Sequence, residues 1–215
     1  LREGWNILCT GDERGSFIAY EESIIIDEVK PGLILAHEGE IGLAFVYSHP
    51  TKEKKHEIIL QKIGQHIAKF EVAIALGDFN ARHPAWCSSG GSNPRGAKTL
   101  KWADEHDLTN LTSHQPTYEE MSRGYTSTLD HVWVTSTESV SARVMEKISD
   151  HRPVMASIGE IKSVRRAGHE IFDSQRFDRP RFDYLLARRC QYARHSRSSS
   201  ALEARKLEKR FWGDV

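Results

Sequence analysis

Residues 16 to 48 alternate short apolar runs with polar breaks: "SFIAY", "SIIIDEV", "LILAH" and "IGLAFVYS". Charged residues or Pro31-Gly32 separate the runs, which predicts successive strands joined as hairpins. From Thr51 to Phe70 the period changes. Ile58, Ile59, Ile63, Ile67 and Phe70 recur at helical spacing opposite a face of Lys, Glu, His and Gln, so an amphipathic helix is expected there. Val72-Ala73-Ile74-Ala75-Leu76 is apolar at every position and fits a strand buried on both faces. "SSGGSNPRG" reads as a loop, followed by a helix over 96–106 with Leu100, Trp102 and Ala103 among its apolar positions. "NLTS", "STLDHVWVTS", "SVSARVME" and "PVMASIGE" then have the β-branched or alternating character of strands. Residues 1 to 15 read as a loop. Strands dominate and two helices intervene, which predicts an α+β or layered α/β domain with a mostly antiparallel sheet pair, ending near Glu160.

The chain has 215 residues, of which 39% are hydrophobic, enough for one sizeable core and an appendage. Cys9, Cys87 and Cys190 are an odd number without disulfide or metal-ligand spacing, so a reduced, intracellular protein is expected. No apolar stretch approaches the roughly 18 to 20 residues that cross a bilayer, and no signal peptide opens the sequence, so no membrane partner is expected. The formal net charge of +0 hides an asymmetry. Residues 1–159 hold 16 Lys and Arg against 22 Asp and Glu, a net of −6; residues 160–215 hold 14 against 8, a net of +6. In the basic part arginine is interleaved with Phe172, Phe177, Phe182, Tyr184 and Tyr192. It reads either as a linker with helices near 182–194 and 200–212 or as a nucleic-acid contact surface, because phosphate neutralisation carries sequence-independent affinity.

Chemistry gathers at the end of the buried strand. After Gly77 come Asp78, Phe79 and Asn80, with Arg82 and His83 close behind, and strand ends with their loops are where proteins commonly place reactive groups. Three other strand edges carry suitable side chains: "TLDHVWV" with Asp130, "ISDHRPV" with Asp150 and His151, and "FVYSHP" with Tyr47. Each alone reads as structural, since a loop Asp is usually a cap or turn residue and a lone His a surface or core residue. In combination they suit another purpose. Carboxylates can hold a hard divalent cation, and a histidine oriented by a second carboxylate can act on a phosphoryl group. His131 falls on the opposite face of its strand from Asp130 and reads as structural.

The order "GDFN", "LDHVW", "SDHRPV" resembles the endonuclease/exonuclease/phosphatase superfamily. "GDFNARHPAW", "NPRGAKTLKWADEHDLTNLTSHQPTY" and "STLDHVWVT" narrow the resemblance to the apurinic-type endonuclease domain of non-LTR, LINE-like retrotransposons, over roughly residues 12–158. It implies a two-layered β-sandwich flanked by helices, and a phosphodiesterase that uses Mg²⁺ or Mn²⁺. It further implies that Asp78 orients or deprotonates the attacking water, that Asn80 and Tyr47 bind the scissile phosphate, that Asp150 is the metal-linked carboxylate, and that His151, held by Asp130, stabilises the transition state. By the same resemblance the enzyme nicks DNA in the nucleus and leaves a 3′-hydroxyl for primed reverse transcription. Residues 160–215 would then be a basic linker towards a reverse transcriptase, able to touch the element's RNA.

The sequence also departs from the family pattern. No opening strand with an Asn ligand and no following strand ending in a metal-binding Glu can be read in residues 1–15. The expectation is therefore that 1–159 is a partial domain lacking its first strand-helix-strand unit, roughly 50 to 60 residues, with impaired activity. Two other readings remain open: a non-catalytic nucleic-acid-binding remnant, and a phosphatase or phosphodiesterase of the same superfamily.

Overall fold

The computed structural model describes residues 5–10, 17–21, 23–87, 91–120 and 124–159. All of these except Trp5 and Asn6 belong to one compact unit, Ile7–Lys162. The basic segment 160–215, with the helices expected near 182–194 and 200–212, lies outside the described residues.

In chain order the elements are β1 (Trp5–Cys9), β2 (Phe17–Glu21), β3 (Ile25–Lys30), β4 (Leu33–Glu38), β5 (Ile41–Tyr47), α1 (Glu53–Ile67), β6 (Val72–Asp78), α2 (Pro94–Glu105), β7 (Thr109–Asn110), β8 (Tyr118–Glu120), β9 (Tyr125–Ser127), β10 (Asp130–Val134), β11 (Val140–Val144) and β12 (Val154–Ile158). Six strands form one sheet in the order β3-β4-β5-β6-β10-β7, while β1-β2, β8-β9 and β11-β12 are two-stranded. β3, β4 and β5 run as an antiparallel meander. The crossover through α1 makes β6 parallel to β5, and β10 then pairs antiparallel on the far side of β6. The architecture is the expected α+β sandwich with a mostly antiparallel sheet.

Alternation along the strands explains why β6 sits in the middle. Val72, Ile74 and Leu76 join Ile41, Leu43, Val132 and Val134 in a cluster that also receives Val140, Ala142, Val154, Ala156 and Ile158 from the β11-β12 layer. Ala73 and Ala75, with the alternate parity, are 1% exposed. Small side chains there let α1 pack close on the sheet through its buried stripe His56, Ile59, Leu60, Ile63 and Ile67. Both faces of β6 are covered, as its continuous apolar run requires.

The structure corrects several expectations. Residues 5–9 are a strand paired with β2 rather than part of a loop; Trp5-Asn6-Ile7-Leu8-Cys9 is too short and too uniformly apolar for a period to be read. α2 begins at Pro94, not at 96. The Asn93 side chain caps it by accepting from Gly96 N, and proline is suited to the first helical position because its missing N–H has no partner there anyway. Of "NLTS" only Asn110 is in a strand, the two-residue β7, before the chain turns. The β8-β9 hairpin was not foreseen. Among the described residues no helix is long and apolar enough to cross a membrane.

Candidate active site

Strand register brings the expected residues together. Tyr47 at the end of β5 lies opposite Asp78 at the end of β6, and Asp78 lies opposite Asp130 at the start of β10. The three stand in one row across three adjacent strands. His151 arrives from the connection between β11 and β12, where it forms an isolated antiparallel bridge with Tyr118. Its Nδ1 lies 2.8 Å from Asp130 Oδ2. With Nδ1–H donating to the carboxylate, Nε2 is the free end of the ring.

Several groups fix this pair. The Thr117 hydroxyl oxygen accepts from the backbone N–H groups of Leu129 (3.0 Å) and Asp130 (2.9 Å). Thr117 also receives the Arg152 amide on its carbonyl at 2.7 Å, and the Glu119 amide donates to the Asp150 carbonyl at 2.9 Å. The Tyr118 ring packs against the His151 ring with centroids 5.0 Å apart. The carboxylate that orients the imidazole and the backbone that carries it are thus both tied to the segment Thr117–Glu119.

Asp78 is held just as closely on its other side. Its Oδ1 accepts from the Asn80 amide nitrogen at 2.9 Å and its Oδ2 from Asn80 Nδ2 at 2.7 Å. Asn80 adopts the left-handed region, φ 49°, which asparagine tolerates better than most residues and which turns its side chain back towards Asp78. Its second Nδ2 hydrogen goes to the Ser48 carbonyl at 3.1 Å. Turning the amide over would set an oxygen against two acceptors, so the hydrogen bonds fix its orientation. Asn80 would therefore reach a phosphate only by sharing one of these hydrogens.

Burial first, and the neighbouring Asp130 carboxylate second, push Asp78 up to about 7, against the partial relief of the Asn80 hydrogen bonds. The hydrogen bond to Asp130 is the main reason that His151 is held above the usual imidazole range. Both shifts run the same way: each group keeps its proton to higher pH than its ordinary counterpart. A cavity of about 320 Å³ opens beside Asp130 and His151, lined also by Leu76, Val132, Ile148, Pro153 and Val154.

Asp150 does not join the row. It is exposed, and its Oδ1 accepts from the His151 amide at 3.2 Å. Among the described residues no group of three or more His, Cys, Asp or Glu side chains is placed to hold a metal ion. The donor type, carboxylate oxygen, suits a hard divalent cation. The number of donors does not make a cage by itself.

His131 is structural, as expected. It is 1% exposed, burial pushes it down to about 4, and it packs among Phe79, Trp86 and Trp133. A buried polar group around Ser48 was missed. Arg95, 1% exposed, donates from Nη1 to Ser48 Oγ at 2.8 Å, and His56, 0% exposed, lies between Ser48 Oγ (2.8 Å) and Thr99 Oγ1 (3.0 Å). Reading His56 as part of the polar face of its helix was an error. Its spacing to Ile59, Leu60 and Ile63 put it on the apolar stripe, which was the available signal.

A family model described as endonuclease-reverse transcriptase matches residues 41–155, more than half of the chain. No curated protein matches. Among solved structures, the endonuclease domain of TRAS1, a telomere-specific non-LTR retrotransposon, superposes with a TM-score of 0.57 at 18% identity, covering 75% of this chain and 82% of that one. A 3′-5′ exonuclease from Neisseria meningitidis gives a TM-score of 0.54 at 19% identity, covering 73% and 80%. An AP endonuclease from Archaeoglobus fulgidus gives 0.53 at 18%, again covering 73% and 80%. At such identities the likeness to these structures is one of fold.

Proposed function

Because the chain belongs to the endonuclease-reverse transcriptase family, we propose that it is a metal-dependent nuclease that nicks DNA and leaves a 3′-hydroxyl from which reverse transcription can be primed. The observation that carries this reading is the row Tyr47, Asp78, Asp130 with His151 fixed on Asp130 at 2.8 Å. A carboxyl shifted up to about 7, able to act as a base, beside an imidazole that Asp130 favours in its cationic form, is what hydrolysis of a phosphodiester by general acid–base chemistry needs. Asp78 would take the proton from the attacking water. Tyr47 and Asn80 would fix the phosphate, and the Nε2–H of protonated His151 would donate to the charge that grows on its oxygens.

A divalent cation, Mg²⁺ or Mn²⁺, held by Asp150 together with phosphate oxygens, would supply charge neutralisation there; one or two carboxylates plus substrate phosphate is a common way to bind Mg²⁺. Residues 1–159 would form the catalytic domain. Residues 160–215, with 14 Lys and Arg against 8 Asp and Glu, would be a basic linker able to contact nucleic acid, the element's RNA included. A family that joins an endonuclease to a reverse transcriptase would work where chromosomal DNA is, in the nucleus.

The test is nicking of supercoiled plasmid by the purified chain with Mg²⁺, with Mn²⁺ and with EDTA, beside Asp78→Ala. Metal-dependent nicking that disappears in the variant, with nicks that a DNA polymerase extends directly, is expected. Folded wild-type protein that binds plasmid in a salt-sensitive way without cutting it would overturn the enzymatic reading in favour of a binding module.

A further inference from the structure

The geometry points to Arg95 as a positioning residue of this site: we propose that its buried guanidinium fixes the Ser48 carbonyl, and through it the loop that presents Tyr47 and the amide of Asn80. The inference rests on the phosphodiesterase reading above. It extends the machinery to a side chain on α2 that lies outside the row of reacting groups.

Among the described residues, the hydrogen-bond partners of the Arg95 side chain lie on the chain that leaves β5. Nη1 donates to Ser48 Oγ at 2.8 Å and to the Ser48 carbonyl at 3.3 Å, Nη2 donates to the His49 carbonyl, and Nε donates to Glu53 Oε1 at 3.3 Å. Ser48 is the hub that passes this on. Its amide donates to the Asp78 carbonyl at 2.8 Å, and its carbonyl accepts from Asn80 Nδ2 at 3.1 Å. One residue therefore ties the end of β5 to the end of β6, and one buried cation holds that residue.

The hydrogen bonding closes on itself. Since Ser48 Oγ accepts from Arg95, its own hydrogen is available to His56 Nδ1, which leaves His56 Nε2–H to donate to Thr99 Oγ1, one turn along the same helix as Arg95. The first turn of α2 grips Asn80 from a second direction as well: Asn93 Nδ2 donates to the Asn80 carbonyl at 2.9 Å, and Asn93 Oδ1 accepts from Arg82 N and Gly96 N. Gly96 allows this approach, because a Cβ there would lie 1.9 Å from the Arg82 carbonyl oxygen. Burying a charge contributes poorly to stability compared with an apolar side chain of the same volume. What this charge does secure is the direction of two carbonyls and, through one of them, of the amide that faces Asp78.

The experiment compares Arg95→Lys, Arg95→Gln and Ser48→Ala with Ile63→Val, a core change on α1 away from the circuit. Two readouts are taken: the Asn80 side-chain amide signals by ¹H–¹⁵N NMR, and kcat and KM for metal-dependent plasmid cleavage. In the Arg95 variants the Asn80 amide is expected to lose its protection from solvent exchange, and kcat to fall by about 100-fold with KM within a few-fold, the pattern of a misplaced reacting group. Ser48→Ala keeps the carbonyl and should show a smaller change in the same direction; it decides the matter if the Arg95 variants do not fold. Unchanged Asn80 signals in folded variants, or an equal loss of kcat in Ile63→Val, would overturn the proposal. Should the wild type not cleave while Asn80 still responds to Arg95, the positioning role stands and the phosphodiesterase reading fails.

Discussion

Replacing Asp78 by asparagine should stabilise the fold above neutral pH and lose that advantage in acid. The wild-type carboxyl is raised from an ordinary 3.8 to about 7 by burial and by Asp130 beside it, so the folded state holds a proton that the unfolded chain has already released. Between those two values the unfolded state binds fewer protons than the native one, and stability falls as pH rises. At about 1.4 kcal/mol per pH unit the full interval corresponds to about 4 kcal/mol, reduced towards about 2 kcal/mol because the group sits at an open strand end that water can reach. The asparagine carries no such term. It does place an amide against Asn80 Nδ2, a constant cost of about 1 kcal/mol that is the same at every pH. The assay is urea unfolding of both proteins from pH 4 to pH 9, followed by the fluorescence of the buried Trp86, Trp102 and Trp133. The difference in unfolding free energy should swing in favour of the variant by about 2 to 4 kcal/mol as pH rises from about 4 to about 7, and level off above that. Charges facing Asp78 from β10, from the β11-β12 connection and from α2, namely Asp130, His151 and Arg95, are present in both proteins. Parallel stability profiles would refute the claim that the fold holds a destabilised carboxylate at the candidate site.

His151→Ala should leave the far-UV circular dichroism unchanged while kcat for plasmid nicking falls by about 10²- to 10⁴-fold. In the wild type activity should rise with pH through about 7 as Asp78 deprotonates and fall again as the raised imidazole loses its proton; the variant should keep only the rising limb in whatever activity remains. Gly77→Ala should destabilise by about 3 kcal/mol in urea unfolding, since φ is +134° and the new methyl would lie 2.0 Å from the Val46 carbonyl oxygen.

The elements that depend on long, regular patterns were legible in the sequence: α1 from its isoleucine spacing, β6 from an unbroken apolar run, and the β3-β4-β5 meander from its breaks. Tyr47, Asp78, Asp130 and His151 were legible as well, because each stands at an end of such a run. That they form one row was not, since register is decided by pairing between segments far apart in the chain. The first strand was missed because five residues give too few periods to count. Arg95 and His56 were hidden for a different reason: whether a charged or titratable side chain is buried depends on the partners that tertiary structure brings to it, and Ser48 offers no local sign of receiving both. Asp150 is exposed beside the row rather than in it, a placement that its position next to His151 in the chain could not show.

The place of β10 in the sheet also sets an order of events during synthesis. β6 ends at Asp78 and its neighbour β10 begins only at Asp130, about 50 residues later. At roughly 5 to 20 residues per second a ribosome needs several seconds to cover that distance. During this interval the β3-β4-β5-β6 part of the sheet can already exist, with the backbone of β6 an open edge and Val72, Ile74 and Leu76 on a face that β11-β12 has yet to cover. A nascent chain stalled between Asn80 and Asp130 should be the form of this protein most in need of a chaperone.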